Sequence, residues 1–499
     1  MKIINTHLVL LAMVFAMVLA SCGKSGCPLK TYEPKQLIKA YHYNYFPPMR
    51  QSNAERFAIY LDYSGSMKTA FKDANTANFY QLFINSLKIS TVDFYEVNNF
   101  SIDKIENLDK SQLYKKIKEA ARFKGDNAPL NTAVKDIVNR RLAAVFITDG
   151  ELWENGERDD PWAREEFERW LRDGNTIEFF ITDHPDAGKQ KHIFYICFVP
   201  KNSSNNVAAD FMFYLQNSIE AKNYAYTHFA FTANAVDITK DYSVTTGGAN
   251  ENAGVDETAF VNGDSFEFVP IMNRWKDLYK YIGQSYDQNG NPVPDGAPLL
   301  SRLNVDLSKM EFYTVKTLDI KVSNVTADFN RFNMVAEVKA NPPTFVTDEK
   351  GEPMLDENRL PIISCPGHYE GYTADGKLMY DTVFKPTPPA KFIPDLFKFD
   401  EKHFAETYNT TKKGEVCIKL NSNFSETGLS NTDFNLLRID LILSDVSVNA
   451  QNANLDKFIW EGKQVKQNRS MYNSILGALN AANPKDKVIY TYYLYTLPY

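Results

Sequence analysis

The chain has 499 residues, of which 44 % are hydrophobic and 23 % charged, with a formal net charge of −7. A mildly acidic balance without Lys/Arg clusters argues against nucleic acid as a partner, and no stretch beyond the N-terminus is long and apolar enough to span a membrane. A chain of this length divides into two or three domains, and its 28 Tyr and 34 Phe suit β-rich structure.

At the N-terminus, Lys2 supplies a positive start, Leu8 to Leu19 is an almost unbroken apolar run, and Leu19-Ala20-Ser21-Cys22 follows. A charged start, a short apolar stretch and small residues before a cut describe an export signal rather than a spanning helix. The segment resembles the lipobox of bacterial lipoproteins. That resemblance implies cleavage of residues 1–21 and diacylation of Cys22 with palmitate-type chains, which anchor a protein through their buried methylenes. Gly23 is not the aspartate associated with inner-membrane retention in some lipoproteins, and no acidic run follows Cys22. The expected location is therefore the outer membrane, facing the periplasm, with surface display left open. Residues 22–53 read as a tether.

From about residue 54 the pattern becomes regular. Phe57 to Leu61 reads as a buried strand, Asn75 to Ile89 as an amphipathic helix, and Thr91 to Val97 as a strand. Leu108 to Phe123 and Leu130 to Arg140 have helical spacing, and Leu142 to Thr148 is a fully apolar strand. Pro161 to Arg172 opens with proline and ends at Asp173-Gly174, as helices do. Strands at 176–182 and 192–199, a helix at 207–219 and an edge strand at 224–232 complete the region. Strands alternating with helices predict a mostly parallel sheet covered on both faces, and continuous apolar strands fit that burial.

Residues 236–300 read as a linker with one helix between Phe266 and Ile282. From 301 to 499 the period-two runs Leu318–Val322, Phe332–Val338, Val416–Leu420 and Leu437–Leu443 suggest an antiparallel, sandwich-like domain. Pro-rich insertions fall at 342–366 and 386–394, and a helix at 470–481 and a strand at 488–494 close the chain. Cys197 lies in an apolar run and reads as a buried thiol; Cys365 and Cys417 can pair in an oxidising compartment.

Two segments carry chemistry. Asp62-Tyr63-Ser64-Gly65-Ser66-Met67 follows the first strand, and Asp149-Gly150-Glu151 follows the apolar strand 142–148. Both stand at carboxyl ends of strands, where doubly wound sheets bind ligands. A turning loop projects a carboxylate and two hydroxyls at alternate positions toward one point, and the second carboxylate arrives from a neighbouring strand. That hard, all-oxygen set suits Mg²⁺, with Mn²⁺ or Ca²⁺ as alternatives, and is poor for Zn²⁺. Helix capping explains Asp or Ser at such places singly, but not three in register with a carboxylate on another strand.

Phe57 to Met67 resembles the opening strand and D-x-S-x-S metal-ion-dependent adhesion site of von Willebrand factor A domains, and Val145 to Gly150 resembles that family's later T-D-G strand. The resemblance covers residues 54–235. It implies a Rossmann-like domain in which a divalent cation, held by Asp62, Ser64, Ser66 and Asp149, links the protein to an Asp or Glu of a protein partner. The family usually adds a threonine from a G-T-P-L-like run. Here, Gly125 to Thr132 places Ala128 at that position, so Asp126, Asn127 or Thr132 would have to substitute.

Other features weigh less. Asp287 to Asn291 is an Asn-Gly turn more than a calcium loop, His184 and His192 read as loop and strand-edge residues, and Asp159-Asp160 and Glu165-Glu166 suit a helix start. Trp153 is a candidate for a binding rim. There is no G-x-S-x-G, no phosphate loop, and no nucleophile–base pair in residues 300–499. The chain is thus expected to be a binding protein rather than an enzyme. The alternative is an envelope scaffold whose metal site is degenerate.

Overall fold

The computed structural model describes residues 29–30, 34–45, 57–99, 101–119, 121–123, 128–151, 163–186, 189–201, 206–233, 236–240, 259–260, 266–271, 285–286, 292–293, 299–367, 369–372, 374, 376–380, 391–392, 396–420, 435–460 and 468–496. The signal, Cys22, Asp126, Asn127, Trp153, Asp159-Asp160 and the Asp287–Asn291 run lie outside them. The strands flanking that last run, Ser285–Tyr286 and Pro292–Val293, do pair antiparallel.

Helix α1 (Pro34–Tyr45) is followed by β1 (Phe57–Asp62), α2 (Gly65–Ala70), α3 (Ala74–Ser86), β2 (Thr91–Asn98), β3 (Ser101–Asp109), α4 (Lys110–Lys116) and α5 (Leu130–Arg140). Then come β4 (Ala143–Thr148), α6 (Arg164–Arg172), β5 (Thr176–Asp186), β6 (Lys189–Val199), α7 (Val207–Asn217) and β7 (Thr227–Phe231). The strands form one seven-stranded sheet in the order β3-β2-β1-β4-β6-β5-β7. β1 pairs parallel with both β2 and β4, and the other neighbours are antiparallel. β1, β2, β4 and β5 therefore run one way and β3, β6 and β7 the other. The expected parallel arrangement holds at the centre, while the β5–β6 hairpin folds back to place β6 against β4.

Alternation sorts the sheet's two faces. Phe57, Ile59 and Leu61, with Val145, Ile147 and Tyr195, pack under Phe79, Phe83 and Phe211 of α3 and α7. Tyr60, Phe146, Phe179 and Phe194 face α5 and α6, and that core runs on without a break into Phe312, Phe458, Met471 and Ile475 of the C-terminal region. Burial of both faces explains why β1 and β4 read as unbroken apolar runs.

Some elements depart from the sequence expectation. The stretch read as a helix from Leu108 begins instead with the end of β3, a largely polar edge strand. α4 is then started by a capping box between Asp109 and Gln112. His184 is buried within β5 rather than in a loop. Phe332–Val338 belongs to a helix, Thr326–Ala340, because Phe329, Phe332 and Ala336 share a helical face against Tyr41 of α1. Within the segment read as a tether, α1 buries Leu37, Ile38 and Tyr41, and Tyr41 donates to Asp328 at 2.9 Å. Phe266–Ile271 is a strand parallel to Val488–Thr496, and the rest of the stretch read as containing one helix, 272–282, lies outside the described residues.

The C-terminal region contains a six-stranded and a four-stranded sheet, mostly antiparallel as expected. The Cys365–Cys417 pair does not form. Cys417 is a buried thiol on an inner strand of the four-stranded sheet, whereas Cys365 is disulfide-bonded elsewhere. Cys197 is a buried thiol, as its apolar run implies, and burial pushes its pKa well up.

Candidate metal site

The parallel register of β1 and β4 builds the site. Leu61 stands opposite Ile147, so the next residues along, Asp62 and Thr148, emerge side by side at the carboxyl ends of the two strands. Thr148 donates its hydroxyl to Asp62 Oδ2 at 2.7 Å and accepts from the Gly150 amide at 3.0 Å. The other oxygen of Asp62 accepts from the Ser64 amide at 2.8 Å. Ser64 sits at the N-cap of α2, yet its side chain makes no capping hydrogen bond. Its Oγ lies instead 3.0 Å from Ser66 Oγ. The capping explanation for these serines thus fails at Ser64, and the two hydroxyls face one another beside Asp62.

Asp149 accepts from the Glu151 amide at 3.1 Å through Oδ1. Its Oδ2 is buried and receives no hydrogen bond. Both Asp62 and Asp149 are buried, and among the described residues no Lys or Arg pairs with either. Burial is the main cause that raises the Asp62 pKa, while the Ser64 amide and the Thr148 and Ser64 hydroxyls act the other way. Asp149 is pushed up to about 8 by burial first, then by the charge of Asp62 and of Glu151, and the Ser66 hydroxyl and Glu151 amide offset this only in part. Two buried carboxylates without a countercharge are costly. An unsatisfied carboxylate oxygen, the paired hydroxyls of Ser64 and Ser66 and a second carboxylate are a donor set that fits a hard divalent cation.

Gly150 turns the chain away with φ of +70°. A Cβ there would meet Met471 Sδ and the Phe194 ring at 3.2 Å. The loop after β4 therefore rests on helix Ser470–Ala481 of the C-terminal region. Beside it, Lys191 of β6 holds Glu151 at 3.1 Å.

Asp62, Ser64, Ser66 and Asp149 thus come from the two neighbouring strand ends. Thr132 lies in the first turn of α5 and is exposed, and Ala128 packs, half-buried, against the apolar core. His192 pairs with Asp183 at 2.6 Å. Thr148 is the residue that sequence reasoning missed as a participant, although it stands inside the T-D-G run. Replacing it with valine keeps the shape and removes the hydrogen bond to Asp62. A charge-assisted bond of this kind is worth about 1.5–3 kcal/mol, so Thr148→Val is expected to weaken cation affinity at least about tenfold in a calorimetric titration, with an unchanged circular dichroism spectrum.

Among the described residues one other grouping could hold an ion: His403, Glu415 and Cys417 bring ligand atoms within 4.8 Å of one another. His403 Nε2 and Glu415 are already hydrogen-bonded at 2.5 Å, which accounts for their closeness without a metal.

The chain matches no family model, no curated protein and no solved structure.

Proposed function

We propose that this chain is a lipid-anchored envelope protein that binds an acidic group of a protein partner through a divalent cation, held as in the metal-ion-dependent adhesion site of a von Willebrand factor A domain. The observation that carries this reading is the buried, unsatisfied Oδ2 of Asp149, beside a second buried carboxylate and the paired hydroxyls of Ser64 and Ser66. In this reading Asp62, Ser64, Ser66 and Asp149 hold the ion, which supplies a positive centre with open positions for an incoming carboxylate. The residues named contain no activated nucleophile, and the reading is of a binding module.

The test is calorimetric titration of the mature chain, in detergent, with Mg²⁺, Mn²⁺ and Ca²⁺. Saturable binding of one ion per chain supports the proposal. A folded protein that binds none of them leaves the second reading, a scaffold with a degenerate site. That reading is favoured by Ala128, which the resemblance aligns with the family's threonine and which packs, half-buried, against the apolar core.

A further inference from the structure

In the C-terminal region a second set of ligand atoms converges, and its chemistry differs from that at Asp62. Glu415 and Cys417 alternate along strand Lys413–Leu420, so both side chains leave the same face. His403 comes from helix Glu401–Thr407, which packs on that strand. Glu415 Oε1 is the meeting point: His403 Nε2 lies 2.5 Å from it, and the Cys417 thiol donates to it at 3.9 Å. The bond between His403 and Glu415 explains why those two groups are close. It does not explain a thiol directed at the same oxygen, since a thiol is a weak donor and gains little there.

The backbone around the trio is fixed by side chains. Thr407 donates its hydroxyl to the His403 carbonyl at 3.0 Å and accepts from the Glu415 amide at 2.9 Å, which clips the two ligand-bearing residues together. Asp400 accepts from the His403 amide at 3.1 Å and also engages Lys419, the next residue on that face of the strand. Cys417 is buried, whereas the His403 and Glu415 side chains are 31 % and 20 % exposed. The cluster is thus closed behind the sulfur and reachable from the other side.

We propose that His403, Glu415 and Cys417 bind a zinc ion. Nitrogen, oxygen and sulfur together suit Zn²⁺ and are poor for Mg²⁺ or Ca²⁺, the reverse of the all-oxygen set at Asp62. The three ligand atoms lie within 4.8 Å of one another. Zinc at about 2.0–2.3 Å from each fits among them once the contact between Nε2 and Oε1 opens by roughly 1 Å. The thiol releases its proton to solvent on ligation, the ring binds through the lone pair of Nε2 with its proton on Nδ1, and the carboxylate binds as the anion. Three protein ligands leave a fourth position for water. The ion cross-links the helix to the strand.

Cobalt(II) titration of the full mature chain in detergent tests this, because cobalt occupies zinc sites and a thiolate ligand gives it a charge-transfer absorption that an all-oxygen site cannot. The expected band saturates at one ion per chain, is displaced by Zn²⁺ but not by excess Mg²⁺, and survives in Asp62→Ala, so it reports on this site alone. Cys417→Ser is expected to remove it. His403→Gln, at a partly exposed position, should weaken cobalt affinity by at least about tenfold with an unchanged circular dichroism spectrum. A folded protein without the band overturns the proposal, and so does a band that persists in Cys417→Ser, which would place the metal on other thiols. Should Cys417→Ser fail to fold, unchanged cobalt affinity in His403→Gln overturns it equally.

Discussion

Asp62→Ala is expected to abolish saturable divalent-cation binding while leaving the protein folded. Asp62 fixes the geometry from both sides: one oxygen orders the turn through the Ser64 amide, and the other locks Thr148 on the neighbouring strand. Removing it deletes a ligand and releases the residue that positions the second segment, so affinity should fall by more than about a hundredfold, two interactions of about 1.5–3 kcal/mol each. The same site predicts an opposite effect on stability without metal. Asp149→Asn removes a buried carboxyl whose ionisation is opposed by burial and by the charges of Asp62 and Glu151, and is expected to stabilise the metal-free protein by about 1–2 kcal/mol while abolishing binding. Thermal melts with and without Mg²⁺ and a chelator read both effects. A metal-free Asp149→Asn protein that melts lower than wild type would show that the carboxylates are held by contacts other than an ion.

Phe458→Ala carries the largest expected cost in stability. Phe458 ends a 3₁₀ turn, Ala453–Phe458, and is fully buried. Its ring stacks on Phe194 at 5.5 Å and meets Phe179 edge-on at 5.1 Å; Phe229 and Phe231 lie at 5.9 and 6.1 Å. These four partners belong to β5, β6 and β7, so one side chain from the C-terminal region fills a hole in the first sheet. Truncation leaves a cavity that a five-ring cluster cannot collapse to fill, at a cost of about 3–5 kcal/mol. Because the core is shared, urea unfolding followed by tryptophan fluorescence should remain a single transition with a lowered midpoint. Two transitions, only one of them shifted, would show instead that the regions unfold independently.

How much was legible in the sequence follows from where each constraint resides. β1 and β4 announce themselves because both their faces are buried, and Asp62 and Asp149 because parallel strands deliver their ends to the same edge. Thr148 could not be assigned a role from sequence, since its bond to Asp62 depends on the register between two strands. The run Phe332 to Val338 alternates like a strand, but its neighbour is α1, nearly three hundred residues earlier in the chain, and that helix selects the face bearing Phe329, Phe332 and Ala336. Phe266–Ile271 gains its strand partner only when Val488–Thr496 arrives.

The β5–β6 hairpin constrains how a partner can arrive at the candidate cation site. Phe194 stands opposite Thr148, the last residue of β4, while β6 begins at Lys189, so residues 189–193 and their partners in β5 run on past the end of β4, roughly 16 Å at strand rise. The Lys191–Glu151 pair keeps this arm beside the loop after β4. The candidate site therefore has a wall on the flank of β6. A broad, flat surface would strike the arm before its carboxylate reached the ion. Under the proposed function, the arm favours a ligand that protrudes, such as an acidic side chain on a loop tip or a chain end.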